Sequence, residues 1–444
     1  MTARSRPGRG AAGGLIAMGL VAAGCGGPPP EAAVAQVQQV VAERTEGRVV
    51  YHSRRDRARE ALREETVFSL VRRPLTESSA VRVALLQSPR LQAELARLGI
   101  ATADLHQAGL AENPKLWGAV RLPAAGSVVP DVTGGLTTSF LSLFTLAARQ
   151  RIAEARLEAE TLAVSHLVLD TVAAVRTTYV EVQRQQQRLA AVRALRVTLA
   201  DPTEQTPALV PVREALAERV LTREGDLVAA RERMNRLLGL WLPAHLGWSV
   251  VAPLPPLPPQ PLRTRLLERT AIAQRLDLQA RRARTRRFGR TLEMARDWGW
   301  LSGLSLGASV YAPPTGDGVT VGPAGAVSLP IFDQGQAAVA RLEAEHARAQ
   351  HRTTELAVTI RSQVRERRGA LARARRRLTL VRSGPLRRAR ATAAAASRDP
   401  SEHARRQLAL LDAYEAELDA LAAYWSARHE LTRVCGGALP TTPL

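Results

Sequence analysis

The sequence predicts a mainly α-helical chain with a small β part, in which short strands feed directly into coiled-coil helices of unusual length. Three observations predict it. Residues 319–329 alternate, with Val319, Val321, Val327 and Leu329 on one side and Thr320, Gly322, Ala324, Ala326 and Ser328 on the other. That is the period of two of a strand lying between two environments. After Pro330 and the turn at Asp333–Gly335, no strong helix breaker follows until Ser383-Gly384-Pro385. A helix of about 50 residues is a rod on the order of 75 Å long, more than globular domains use. Thr145 to about Ala200 likewise holds no Gly or Pro. There Val168, Val172, Val175, Tyr179, Val182, Gln186 and Leu189 step by four and three, the 3.5-residue period of a coiled coil. The polar Gln186 reads as a tolerated or register-setting member of that seam.

Composition narrows the classes. The chain has 444 residues, 45% of them apolar and only 4% aromatic, with a net charge of +21. Lys115 is its only lysine, so the charge is carried by arginine. Those arginines are spread along helical stretches beside glutamates rather than gathered with aromatics, which argues for solvated helix faces and against nucleic acid.

The N-terminus reads as an export signal over residues 1–24. Arg4, Arg6 and Arg9 precede an apolar run from Leu15 to Ala23, which closes on Ala22-Ala23-Gly24-Cys25. This ending resembles a bacterial lipobox, with Ala22 where Leu is usual. Cys25 would then be the first mature residue and carry lipid such as palmitate; ordinary cleavage nearby, with Cys25 incidental, is the alternative. Cys435 would be left without a partner for an intrachain disulfide. No other apolar run approaches the ~20 residues of a membrane helix, so any membrane crossing falls to strands.

Residues 25–75 form a Gly/Pro tether and a charged helical segment. A first unit, 76–248, opens with Thr76 as helix N-cap and a second start at Ser88-Pro89. It continues with strands at 115–122 and 135–144, a long helix at 145–200 and a return helix at 212–239. The segment 249–262, with six prolines between Pro253 and Pro261, is extended linker. A second unit, 263–439, runs through a helix at 276–297, strands at 301–312 and 319–329, a long helix at 334–382 and a return helix at 400–433, before a tail at 440–444. The units read as internal repeats. Arg156-Leu157-Glu158-Ala159-Glu160 recurs as Arg341-Leu342-Glu343-Ala344-Glu345, and Asp201-Pro202-Thr203-Glu204 as Asp399-Pro400-Ser401-Glu402. The latter has the form of a capping box, Asp at N-cap, Pro at N1 and Glu at N3.

Four strands cannot close a transmembrane barrel, whose smallest size is about eight. An open edge in lipid costs several kcal/mol for each unpaired backbone group. The hairpins must therefore be pooled between copies, eight strands from a dimer or twelve from a trimer. Trp117, Trp298 and Trp300 stand near the helix-proximal strand ends and are candidate membrane-interface aromatics, with local packing against helices as the alternative. No residue reads as catalytic. The eight histidines are scattered, no cluster has metal-ligand spacing, and no phosphate loop or nucleophile elbow is present. His429 continues a three-and-four spacing from Leu418, Ala422 and Trp425, as a packed interface residue would. An enzyme, a metal and a cofactor are not expected. Two rivals to a conduit remain, a periplasmic adaptor lipoprotein and a structural envelope coiled-coil lipoprotein.

Several segments, in order, carry a resemblance: Pro74-Leu75-Thr76, Ser88-Pro89-Arg90-Leu91-Gln92-Ala93, Asn113-Pro114, and Ala230-Arg231-Glu232-Arg233-Met234-Asn235-Arg236-Leu237-Leu238-Gly239-Leu240. Gln274-Arg275-Leu276-Asp277-Leu278, Leu329-Pro330-Ile331-Phe332-Asp333, Tyr424-Trp425 and Gly436-Gly437 complete it. Together they resemble the TolC-like outer-membrane efflux factors, in particular the lipoprotein branch of heavy-metal and multidrug systems. The resemblance implies a homotrimer with a twelve-stranded barrel in the outer membrane and a periplasmic α-helical tunnel. It further implies a periplasmic adaptor and an inner-membrane pump as partners, and drugs or metal ions as cargo. The chain departs from that pattern at its tips, which lack a Tyr/Gly-containing docking segment. Asp201, Pro202, Glu204, Asp399, Pro400 and Glu402 there are candidates for the periplasmic aperture, with plain helix caps as the alternative.

Overall fold

The computed structural model describes residues 31–45, 47–51, 57–122, 130–199, 207–250, 253–260, 266–299, 304–313, 318–395, 397 and 399–439. Cys25, Asp201, Pro202, Glu204 and Trp300 lie outside the described residues, as do the leader and the tail. In chain order the helices and strands are α1 Glu31–Val41, α2 Arg57–Val71, α3 Glu77–Gln87, α4 Pro89–Ala108, β1 Lys115–Arg121, β2 Asp131–Ser139, α5 Phe140–Phe144, α6 Leu146–Thr198 and α7 Val210–Leu238. There follow α8 Leu267–Gln274, α9 Leu276–Trp298, β3 Ser305–Ala312, β4 Thr320–Ala326, α10 Gln336–Ser383, α11 Pro385–Ala394 and α12 Pro400–Val434.

The two rods are continuous, α6 over 53 residues and α10 over 48. At Gly384-Pro385 the second rod breaks and resumes as α11, because Pro385 has no N–H to continue the ladder but is accepted in a first turn. Thr76 caps α3 as expected, exchanging hydrogen bonds with Ser79. The strand expected at 135–144 instead begins at Asp131 and stops at Ser139. Residues Phe140–Phe144 lack alternation and form a helical turn, with the Ser142 hydroxyl donating to the Ser139 carbonyl at 2.6 Å.

The helices stand in a row. α6 packs against α4 and α7 on one flank and α9 and α12 on the other, and α10 packs against α9 and α12. The short helices meet end to end. Gly239, at φ +73°, ends α7 against the start of α4, where the Gln87 amide donates to its carbonyl at 3.0 Å. A Cβ at Gly239 would sit 2.7 Å from the Gln87 carbonyl oxygen. Gly436, at φ +91°, ends α12 in the same manner against the start of α9, where a Cβ would come within 3.0 Å of the Gln274 carbonyl oxygen. Arg44, just after α1, donates to the carbonyls of both Gln274 and Gly436 at 3.1 Å. The N-terminal segment thus clasps this second junction.

The α6 seam buries Val168, Val172, Val175, Tyr179, Val182 and Leu189. Gln186 departs from expectation and is exposed. At that level α6 is flanked by both α7 and α12, and the buried positions are Gln183 and Gln185. Farther along, buried charge joins the hydrocarbon. Glu415 on α12 is 5% exposed and accepts from Arg223 of α7 at 2.8 and 3.0 Å and from Arg188 of α6 at 3.3 Å. Two residues on, Glu417 accepts from Arg382 of α10 at 2.7 Å. The two carboxylates point to opposite flanks of α12 and clamp it to both neighbours.

Glu415→Ala removes the carboxylate shared by two largely buried guanidinium groups, leaving Arg223 only Asp226 and Arg188 only Asp419, and is expected to destabilise the helical shaft by about 2 kcal/mol. Burial alone would raise the Glu415 carboxyl, but donation from Arg223 and Arg188 outweighs it and holds the group below its usual 4.5. The unfolded chain binds the proton first, so the clamp contributes fully above about pH 4.5 and is lost as pH falls through the depressed value. Urea midpoints read by helical circular dichroism should fall for the variant at pH 7 and converge with the parent at low pH.

Candidate functional site

The four strands form one antiparallel sheet in the order β1-β2-β3-β4, so both hairpins share a single wall. Its register sorts the side chains. One face carries the rows Leu116, Leu136, Ala308, Pro323; Gly118, Gly134, Val310, Val321; and Val120, Val132, Ala312. The other carries Lys115, Thr137, Gly307, Ala324; Trp117, Gly135, Ser309, Gly322; Ala119, Thr133, Tyr311, Thr320; and Arg121 beside Asp131. Charge and most hydroxyls fall on the second face.

Exposure is the reverse of a soluble sheet. The apolar face is the open one, with Leu116 83%, Val321 70% and Val120 63% exposed. On the central strands the polar face is sheltered, with Gly135 buried and Thr133, Thr137 and Ser309 half-buried, while its residues on the outer strand β1 (Lys115, Trp117, Ala119 and Arg121) are exposed. A water-soluble protein hides the apolar side of a sheet, whereas a membrane barrel turns it outward and lines its interior with polar groups. The strands are seven to nine residues long, close to the roughly 9–11 of a tilted transmembrane strand. Among the described residues β1 pairs only with β2 and β4 only with β3, leaving two free edges.

Trp117 lies on the polar face, and its ring covers Gly135, where a Cβ would meet the ring at 3.0 Å. It therefore faces away from the apolar side of the sheet. The signal was present, since Lys115, Trp117 and Arg121 share one parity along β1. Trp298, the last residue of α9, stacks on Phe144 with centroids 6.0 Å apart and planes at 19°. This joint lies where α5 and α9 meet the sheet.

At the far end of the rods, Asp399 caps α12 by accepting from the Ser401 backbone N–H at 2.9 Å, and Pro400 takes the first helical position. Glu402 does not return the bond to the cap. Its carboxylate accepts from the Ser397 hydroxyl at 2.9 Å and from Arg406 at 2.5 Å. Hydrogen bonds from Ser401, and from Ser397 and Arg406, hold the Asp399 and Glu402 carboxyls below their usual values. Both are exposed and ionised at neutral pH.

Elsewhere polar groups serve packing. The His429 ring touches Trp425, as the spacing suggested, and burial with Arg176 and Arg428 pushes it down to about 4, so it is neutral. Cys435 is buried and its thiol is pushed up to about 11 by that burial, which leaves it unreactive. Among the described residues no group of three His, Cys, Asp or Glu could hold a metal ion. No described helix is long and apolar enough to cross a membrane.

No protein-family profile matches the sequence, and no curated protein matches it. Solved structures do. The outer-membrane channel MtrE of Neisseria gonorrhoeae, in its open state, superposes with a TM-score of 0.66 at 14% identity, over 83% of this chain and 88% of that one. The outer-membrane channel OprN gives 0.65 at 17% identity, over 84% and 92%. CusC, a transmembrane channel protein, gives 0.61 at 18% identity, over 82% and 92%. The chain has the fold of these channels.

Proposed function

We propose that this protein is the outer-membrane duct of a tripartite export system, a TolC-like efflux factor and not an enzyme. The observation that carries the reading is the inverted sheet, whose apolar face is left open while the polar groups of its central strands are sheltered. Three copies would pair β1 of one with β4 of the next into a twelve-stranded barrel. Eight strands from a dimer would leave an interior just wide enough for side chains to fill, which is no duct. The helix rows would close in step into a periplasmic α-barrel. Their free edges support this, with Leu221 69% exposed on α7 and Leu380 68% on α10. The matched glycine junctions at Gly239 and Gly436 support internal duplication of the two units.

In this reading Cys25 carries the lipid anchor, and the rods reach down toward a periplasmic adaptor and an inner-membrane pump. The tip segments at Asp201, Pro202 and Glu204 and at Asp399, Pro400 and Glu402 ring the periplasmic aperture. The duct is passive, and drugs or metal ions are its cargo class. An adaptor would carry one helical hairpin with flanking β-domains, and an envelope coiled coil would have no use for an apolar-out sheet.

Arginine at Val310 should cost about 2–4 kcal/mol per chain near the bilayer midplane and abolish heat-resistant oligomers in outer-membrane fractions. Ser309→Arg, one residue away on the polar face, should leave oligomers and single-channel currents in planar bilayers in place; equal loss from both sinks the barrel. Alanine at Asp201, Glu204, Asp399 and Glu402 together should reduce cation preference of the reconstituted pore, and an unchanged preference would remove them from the aperture. Cys25→Ser should abolish incorporation of labelled palmitate, and labelling that persists would place the lipid elsewhere or on another residue.

A further inference from the structure

We infer that the lower part of α10 together with α11 is a docking face for the carboxylates of the cell-wall polymer that the shaft passes through. This rests on the duct reading, which places the shaft in the periplasm. Between Arg361 and Arg390 the chain carries twelve arginines and a single acid, Glu366. On α6 and α7, Arg184, Arg188, Arg219 and Arg223 meet carboxylates of α12. On this stretch Arg382 is well paired, to Glu417 at 2.7 Å, while Arg365 meets Glu268 at 3.6 Å and Arg367 meets Glu430 at 4.0 Å. Arg361, Arg368, Arg376, Arg377, Arg387 and Arg388 are exposed and form no ion pair among the described residues. So dense a run of one sign repels itself, and its counter-charge has to come from outside the chain.

Spacing and packing give the direction of the stripe. Arg361, Arg365, Arg368 and Arg376 fall within one side of a 3.6-residue helix. Arg365 reaches α8, and the neighbouring Arg375 donates to the carbonyls of Pro258 at 3.1 Å and Pro259 at 2.9 Å. The stripe therefore shares its side with α8 and the 253–260 segment. In a closed tube such a second layer has room outside the wall and not in the bore, so the arginines look into the periplasm.

Distance and chemistry select the anion. α10 starts at Gln336 beside the sheet. Arg361 lies about 38 Å along the rod from there and Arg388 about 78 Å at ~1.5 Å per residue, out of reach of the membrane that holds the strands. A folded partner binds through apolar anchors at the centre of its patch, and this side of the helix offers Ala372, Thr379 and Ser383 between its arginines. Repeated guanidinium groups without an anchor suit a flexible polymer with recurring carboxylates, such as the peptide stems of the wall.

The test uses purified full-length oligomer and isolated sacculi. The parent should co-sediment at low salt and be released as ionic strength shortens the screening length from about 30 Å to 3 Å. The variant with Arg361, Arg368, Arg376, Arg387 and Arg388 changed to Gln should bind about tenfold more weakly, and sacculi with amidated carboxyls should bind neither protein. Binding that ignores salt, the five substitutions or amidation overturns the proposal, as does retention only by an acidic protein impurity. If the variant instead alters the anion preference of the pore, the stripe lines the bore and the docking face is wrong. Heat-resistant oligomers and single-channel currents, unchanged in the variant, keep the duct reading separate; their absence in the parent would fail that reading instead.

Discussion

On the proposed reading, closure of backbone hydrogen bonds in a sheet that would face lipid is the constraint on which the rest of this structure depends. A single chain offers four strands with an apolar outer face and two unpaired edges. In water the edges could be solvated but the apolar face could not stay open; in lipid the face is at home but the edges are not. On the duct reading, pairing β4 of one copy to β1 of the next would meet both conditions. Whatever copy number such strands chose would then be imposed on the shaft, because α5 and the joint of Trp298 on Phe144 tie sheet to rods.

The shaft is held by two kinds of contact along its length. Near its middle a broad apolar core joins α1, α3, α4 and α7 to the α6 seam, with Val37, Leu85, Leu91, Val168 and Met234 fully enclosed. Toward the tip the apolar core is smaller, a cluster of α6, α7 and α12 that includes Val192, Leu209, Leu216 and Leu411, beside a group formed by Leu386, Ala389 and Ala413. There α12 is fixed by Glu415 on one flank and Glu417 on the other. Buried charge pairs add little net stability over hydrocarbon, but they punish misplacement heavily because an unpaired partner is left behind. Such contacts suit a region where helices must hold a rotation rather than fill a volume.

Much of this was legible in the sequence because periodicity reports burial directly. The strand parity at 319–329, the unbroken rods and the Thr76 cap came through with boundaries a few residues off. The failures have physical causes. Phe140–Phe144 is rich in strand-favouring residues, yet without alternation it could not keep one face to lipid and turned helical. Gln186 was placed by extending a heptad, but α6 acquires a second packed neighbour at that level and the buried set shifts to Gln183 and Gln185. Trp117 was read by its position near a strand end, when its parity with Lys115 and Arg121 already assigned it to the polar side. Which copies pair, and how many, left no trace in one chain's pattern, since edges signal only that something is missing.

The scarcity of aromatics follows from the same geometry. A row of helices one layer thick has seams but little interior, and a seam is filled by Val, Leu and Ala without large rings. Big side chains become useful only where a second layer lies over the row. The most enclosed rings are Trp248 and Tyr424. Trp248 donates to Asn235 at 2.8 Å beside the end of α7, and the Trp425 neighbour of Tyr424 donates to the Pro255 carbonyl at 2.8 Å. Both sit where the chain doubles back over its own wall, at the segments that follow α7 and precede α8. Composition and the position of these second-layer segments are thus one fact seen two ways: this chain buries what a single row of helices can bury, and on the duct reading it would leave the rest of its apolar surface to its copies and to lipid.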